Sequence, residues 1–288
     1  VKGPAPTWLY PLPLRAALPI YPLLGTSTID YTRSNTSRNG LIQVWTDMSL
    51  HGELAEEWSV NSNATEYVFK IRQGVEFHDG SALTADDVVW SMNRHIAEGS
   101  PSSIGAFFTL VEEWKAVDSH TVKLTLSSPD ADMPFKLTQP QAKIVKKDNP
   151  LVGSGPYLTE EFQAGVKSNH VRNPNYWRDT GQHLDSIEIT AITDPNARLN
   201  ALLAGSVDMV VTPSAKMIKK IEESGNTVLS VPSGVYGGIC CLKNTAPGDN
   251  DDLVQGLRYI QDRERIVRTY LKGHGTLGND HPINISYG

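Results

Sequence analysis

Two neighbouring pairs in this chain could move protons: His78-Asp79 and the adjacent carboxylates Asp86-Asp87. A histidine or carboxylate placed beside a reacting group is the usual general acid–base device. Their local context argues for other work. Asp79-Gly80 is a turn dipeptide, and Asp86-Asp87 fall in the first turn of an expected helix, where carboxylates suit the helix dipole. The chain has no H-E-x-x-H, no P-loop and no G-x-S-x-G, and Gly153-Ser154-Gly155 is too short for a nucleophile elbow. Its eight histidines, His51, His78, His95, His120, His170, His183, His274 and His281, show no metal-ligand spacing. Cys240 and Cys241 are adjacent, and a disulfide between neighbours is strained. They read as small buried hydrophobes, with a vicinal redox pair as the alternative. No catalytic residue, metal or cofactor is expected, and a hydrolase stands only as a minor alternative.

Composition sets the outer bounds. The 288 residues carry 39% hydrophobic and 20% charged residues and a net charge of −6. That is an ordinary globular balance, large enough for one large domain or two ordinary ones. Without a basic run the chain lacks the clustered cations that phosphate backbones need, so nucleic acid is not an expected partner. No uninterrupted apolar run approaches the ~20 residues of a membrane span.

The elements that must position any site are clearest over Tyr67–His95. Tyr67, Phe69 and Ile71 alternate with Val68, Lys70 and Arg72, the period of a half-buried strand. Gln73-Gly74 breaks it, Val75–His78 reads as extended again, and Asp79-Gly80 turns the chain. Thr84 stands at an N-cap with Asp87 three residues on, and Val88, Val89, Met92 and Ile96 follow at helical spacing. This stretch resembles the signature of the family 5 extracellular solute-binding proteins, in which G-V-x-F-H-D-G-x-x-L-T-A-D-D-V-V leads into a helix ending near S-x-N-R. The matching residues are Gly74, Val75, Phe77, His78, Asp79, Gly80, Leu83, Thr84, Ala85, Asp86, Asp87, Val88, Val89, Ser91, Asn93 and Arg94.

Further landmarks keep the same order. Leu54, Ala55 and Trp58 resemble P-x-L-A-x-S-W, with Glu53 where proline is usual, and Trp58 reads as a packing anchor. Val117, Thr121, Val122, Leu126 and Pro129 fit a second strand pattern around the alternating Thr121–Leu126. Gly153, Gly155, Pro156 and Tyr157 resemble G-T-G-P-Y, and Arg172, Asn173, Pro174, Tyr176 and Trp177 resemble R-N-P-x-Y-W. Leu184–Val211 reads as strand–helix–strand: Asp194 caps, Pro195 opens and Gly205 closes the helix, and Asp208–Val211 is the next strand. Such units imply an α/β sheet. Pro213–Ser224 reads as a helix, Val228–Val231 as a strand, and Asp262 as the cap of a helix reaching Leu271. Asn244-Thr245 and Tyr259, Ile260, Asp262, Arg263, Ile266 and Val267 again resemble the family, while Gly248 and Gln255-Gly256 depart from it. Residues 1–20 carry five prolines and do not read as part of a domain. Leu12–Ile20 resembles translated adapter sequence; a damaged signal peptide or a proline-rich arm are the alternatives.

The resemblance implies the two-lobed α/β, periplasmic-binding-protein-like type II fold, with an α+β subdomain inserted in the first lobe and the second lobe truncated. The expected organisation is 1–20 unstructured or artefactual, 21–40 the start of lobe I, 41–152 the inserted subdomain, 153–243 the rest of lobe I, and 244–288 the beginning of lobe II. It implies a receptor of an ABC importer that binds oligopeptides or dipeptides between its lobes and delivers them to a permease and its ATPase. Such a receptor is monomeric and periplasmic, or lipid-anchored outside the cell. A ligand-sensing regulatory module on the same fold is the alternative. Gly25–Ser37 is polar and turn-rich and in this family runs along the cleft mouth, so Tyr31, Thr32 and Ser34 are candidate ligand contacts, with a solvated loop as the plain alternative. Tyr236, an aromatic among glycines in Ser233–Leu242, is the fourth candidate; the alternative is that it packs the sheet.

Overall fold

The computed structural model describes residues 22–179, 182–230 and 241–278. Residues 1–20, Tyr236, Cys240 and Asn279–Ile283 lie outside them. The chain divides between Ala191 and Ile192 into two compact units.

The first unit opens with helix α1 (Thr28–Ser37) and the short hairpin β1 (Ile42–Val44)–β2 (Leu50–Gly52). Its core is a four-stranded antiparallel sheet in the order β3-β4-β6-β5, from β3 (Ala55–Val60), β4 (Glu66–Ile71), β5 (Val111–Asp118) and β6 (Thr121–Leu126). Phe69 stands opposite Val122 and Tyr67 opposite Leu124, so one face is a continuous apolar surface of opposed pairs. Helix α2 (Ala85–Ile96) covers it with Val88 and Met92. The expected capping box holds: Thr84 N and Oγ1 both donate to Asp87 Oδ2 at 2.9 Å. Trp58 is partly buried against this core, as a packing anchor should be. After the short helix α3 (Met133–Lys136), a second antiparallel sheet follows in the order β7-β8-β9, from β7 (Tyr157–Gln163), β8 (Lys167–Arg172) and β9 (Ser186–Thr190).

In the second unit, α4 (Pro195–Leu203) packs Leu199 and Leu202 against Met217 and Ile221 of α5 (Ala215–Glu223). Asp194 caps α4 by accepting from Ala197 N at 2.7 Å. Helix α6 (Asp251–Tyr259) is capped by Asn250, and Asp262 caps α7 (Arg263–Arg265), which widens into a π-type turn over Ile266–Tyr270. Lys272 and Gly273, both at positive φ, end it.

Four expectations need correcting. Gly25–Ser37 contains a ten-residue helix, not a loop. Val75–His78 is not a strand: Asp79-Gly80 folds the segment back on itself through Phe77 N to Ser81 O and Leu83 N to Val75 O, leaving one bridge, Glu76 to Ala82. Asp208–Val211 and the described part of Val228–Val231 form no ladder. Alternation fixes which side chains turn inward, and Val207, Val210 and Val228 do pack on α4 and α5. It does not supply a neighbouring backbone, and none pairs with them among the described residues. The strand–helix–strand unit is therefore a strand and a helix here, and every described strand pair is antiparallel.

Candidate functional site

Three of the four candidate contacts sit on α1. The helix starts at a capping box in which Ser27 Oγ accepts from Asp30 N, and Asp30 accepts from Ser27 N. Its interior is rich in Ser and Thr, which compete with helical backbone elsewhere. Here they bond back into the helix: Thr32 Oγ1 to Thr28 O at 2.9 Å, Thr36 Oγ1 to Thr32 O at 2.8 Å and Ser37 Oγ to Arg33 O at 2.9 Å. The helix buries a polar stripe of Arg33, Ser34 and Ser37. Ser34 is consumed by packing, since its hydroxyl donates to Pro140 O at 3.0 Å. Tyr31 and Thr32 are half-exposed. Tyr31 Oη accepts from Gln141 Nε2 at 3.3 Å, and the same amide donates to Gly25 O at 2.9 Å, so the ring is held at its hydroxyl with part of its surface free. The two half-exposed side chains offer a hydroxyl and an aromatic surface, suited to an uncharged polar group such as a peptide amide.

The side chain that sequence reasoning missed is Arg33, between Thr32 and Ser34. It is almost wholly buried and lies over the Phe162 ring at 5.3 Å. Its Nε donates to Ser168 Oγ at 3.0 Å, Ser168 Oγ lies 2.9 Å from His170 Nε2, and His170 Nδ1 lies 3.1 Å from Thr159 Oγ1. Burial draws Arg33 below its ordinary value, opposed by Asp30. The same burial, with Arg33, Arg38 and His78 nearby, draws His170 down to about 4. A polar stripe leaves no hydrophobic periodicity to read; Ser27-x-x-Asp30 was the available sign of this helix.

Three sequence landmarks meet at the C-terminal end of α1. Gly155 N donates to Ser37 O at 3.1 Å, His78 N donates to Gly153 O at 2.8 Å, and Asn173 Nδ2 donates to Gly155 O at 3.1 Å. His78 Nε2 lies 3.0 Å from Gly155 O. A carbonyl can only accept, so Nε2 carries the proton. Burial lowers the affinity of this imidazole for a second proton. The close approach demands glycine: a Cβ at Gly153 would stand 2.2 Å from Ser37 O, and one at Gly155 2.3 Å from Arg38 N. Of the possible acid–base pairs, His78, Asp79 and Asp87 are likewise engaged in structure, while Asp86 is exposed. Asp79 accepts from Lys146 and Ser81, which hold it at about 2, and Asp87 serves the α2 cap and Lys147 N. Beside this junction lies a buried polar centre. Glu53 accepts from Asn39 Nδ2 at 2.7 Å and Gly40 N at 2.6 Å, with Lys143 Nζ at 3.7 Å. Asn39 also contacts Tyr176 and Trp177 of the R-N-P-x-Y-W landmark. Among the described residues no group of three or more His, Cys, Asp and Glu is placed to hold a metal, and no helix is long and apolar enough to cross a membrane.

The fold is that of the type II periplasmic binding proteins, of which the chain covers part. The solved structure of NikZ from Campylobacter jejuni in complex with Ni(L-His) superposes with a TM-score of 0.77 at 23% identity, over 86% of this chain and 52% of that one. The sequence profile of bacterial extracellular solute-binding proteins, family 5 (middle region), matches residues 49–288. The chain belongs to that family. Heme-binding protein A of Haemophilus influenzae is 26% identical, over 77% of this chain and 47% of its own length. The dipeptide-binding protein of Escherichia coli K12 is 25% identical, over 77% and 48%. The chain spans about half the length of these curated relatives.

Proposed function

We propose that this chain is part of a solute receptor of an ABC importer that captures oligopeptides or dipeptides between two lobes and delivers them to a membrane permease driven by an ATPase. The observation that carries the reading is family membership across residues 49–288, with a dipeptide-binding protein among the relatives. The half-exposed Tyr31 and Thr32 support it, because they offer neutral contacts of the kind that hold a peptide through its backbone. On this reading 21–40 and 153–243 build lobe I around the inserted 41–152, 244–288 opens lobe II, and Tyr236 and Ser34 belong to the cleft region. Ser34 acts there by seating α1 rather than by touching solute. The receptor works as a periplasmic or lipid-anchored monomer, and lobe closure by hinge rotation buries the solute.

The test is calorimetric titration of the receptor at the full length of its relatives with di-, tri- and pentapeptides, heme and nickel–histidine. Saturable peptide binding that weakens on Tyr31→Ala supports the reading. Binding of heme or nickel–histidine with no peptide response overturns it.

A further inference from the structure

The buried contact between α1 and the second sheet contains a titratable group that solute capture does not use. Arg33, Ser168 and His170 are each at most 2% exposed, and Arg33 Nη2 has no hydrogen-bond acceptor among the described residues. Hydrogen-bond direction follows from chemistry. Arginine only donates, so Ser168 Oγ accepts from Arg33 Nε. The Ser168 hydrogen then finds its acceptor at His170 Nε2, and His170 Nδ1 donates to Thr159 Oγ1. Only the imidazole protonated at Nδ1 alone gives the buried Ser168 hydrogen an acceptor in this relay. It is neutral and leaves its lone pair toward Ser168.

We infer that the Arg33–Ser168–His170–Thr159 relay is an acid-labile latch: protonation of His170 releases helix α1 from the β7–β8 hairpin. A proton on Nε2 strips the Ser168 hydrogen of its acceptor and sets an imidazolium beside a guanidinium whose Nη2 already has no acceptor among the described residues. The charged or titratable groups facing His170 deepen the effect. Arg33 of α1, Arg38 just beyond it and His78 of the turn before α2 all oppose a positive charge there. From β9, His170 meets Ile187, which is apolar. Glu161 and Glu188 pair with Asn169 and so lie on the other face of the sheet, where Lys167 engages them. Asp30 on α1 acts on Arg33. No carboxylate among the described residues on these elements is placed to accept the new proton's charge. The latch is a property of the first unit alone. That α1 also presents Tyr31 and Thr32, so that opening would loosen solute contacts in acid, rests on the proposed function.

The experiment is amide hydrogen exchange on the 288-residue chain between pH 7 and pH 4.5, corrected for intrinsic rates and without solute. With His170 falling from 6.5 to about 4 on burial, the opening constant of α1 should rise roughly 50-fold over this range, relative to β4 amides. His170→Gln retains one acceptor and one donor but cannot charge, and should flatten the response to within about fivefold. An equal pH response in His170→Gln, or wild-type α1 amides that open only in step with β4, overturns the latch. A second readout does not depend on a variant folding. Imidazole 15N shifts of the wild type should show His170 Nε2 unprotonated at pH 7 and gaining its proton in the latched state only near pH 4, below the pH at which α1 exchange starts to rise. Nε2 protonated at pH 7, or protonation with α1 exchange unchanged, overturns it as well. Solute affinity is measured separately, so failure of the peptide reading leaves this result standing.

Discussion

Replacing Glu53 tests whether the buried polar centre holds the first unit together. In Glu53→Ala, Gly40 N and Asn39 Nδ2 lose acceptors at 2.6 and 2.7 Å, and Lys143, only about a tenth exposed, loses its counter-ion. Breaking a buried pair by removing one partner costs about 3–5 kcal/mol, because an uncompensated charge stays behind. Glu53→Gln is not innocuous. Its carbonyl can serve Gly40 N, but its NH2 then faces the NH2 of Asn39. Asn39 cannot turn round, since its Oδ1 accepts from Trp177 Nε1 and Ser154 Oγ. The expected loss is about 2–3 kcal/mol, one charge-assisted bond replaced by a donor–donor clash. Lys143→Met leaves the carboxylate with two donors and should cost about 1–2 kcal/mol. In the double variant Glu53→Gln/Lys143→Met, the losses should fall short of additivity by at least about 0.5 kcal/mol, as expected for groups in contact.

The assay is urea unfolding at pH 7 followed by tryptophan fluorescence. Every tryptophan precedes residue 192, so the signal reports the first unit alone. A Glu53→Ala loss under about 1 kcal/mol would mean that water or backbone movement satisfies the freed groups, and the centre would be a passive filler. Glu53→Gln costing under about 1 kcal/mol would refute the assigned direction of the Asn39 bond, because a Gln amide is tolerated there only if Asn39 turns its oxygen toward it.

Gly155→Ala should destabilise the first unit by about 3 kcal/mol or more, because its Cβ meets backbone at 2.3 Å rather than a movable side chain. Gly74→Ala, at φ +73° with nothing near, should cost only about 1 kcal/mol by the same urea titration. Thr84→Ala should cost about 1 kcal/mol as a lost cap, and Asp87→Ala clearly more, because Asp87 also accepts from Lys147 N at 2.8 Å. His95→Leu should cross the wild type in pH. His95 lies in the core with Nδ1 2.7 Å from Ser102 Oγ, and burial pushes it down to about 3. The folded state then binds fewer protons than the unfolded state below pH 6.5, so the wild type loses stability as pH falls through that window. Near pH 7 the variant should be about 1 kcal/mol weaker for the lost hydrogen bond; at pH 4.5 it should gain up to about 2.7 kcal/mol on the wild type. Parallel stability curves across that range would show that His95 does not titrate on unfolding.

What the sequence made legible was what periodicity and turn chemistry encode. Tyr67, Phe69 and Ile71 read as one strand face because that face is apolar, and Thr84 with Asp87 read as a cap because the box is local. Asp194, Pro195 and Gly205 bounded α4 for the same reason. Helix α1 was illegible: its buried stripe is Arg33, Ser34 and Ser37, and polar burial is decided by partners more than a hundred residues away, Pro140 and Ser168. Asp208–Val211 failed in the opposite sense, with the right pattern but no neighbouring strand among the described residues. Of the candidate contacts, Tyr31 and Thr32 were placed in a helix rather than a loop. Ser34 was placed in the interior, where only its distance from solvent, not its residue type, decides its role.

The landmarks that identify the family also say why they cannot identify the solute. The His78 ring and the side chain of Asn173 both bond Gly155 O, while Gly153 and Gly155 press against the end of α1. Asp87 and Thr84 are spent on the α2 cap, and Trp177 on Asn39 and the Arg72 guanidinium stacked 4.4 Å from its ring. Each of these groups meets a partner inside the fold, so a change of solute need not disturb any of them. A heme-binding protein, a dipeptide-binding protein and a protein crystallised with Ni(L-His) can then share one scaffold with this chain. On the proposed function, solute choice falls to side chains such as Tyr31 and Thr32 that keep part of their surface free. Exchanging those two residues should shift solute preference while leaving the unfolding midpoint of the first unit within about 0.5 kcal/mol of wild type, the usual effect of substitutions outside the core. A larger loss of stability would show that α1 depends on them for packing and that the solute-contacting surface lies elsewhere.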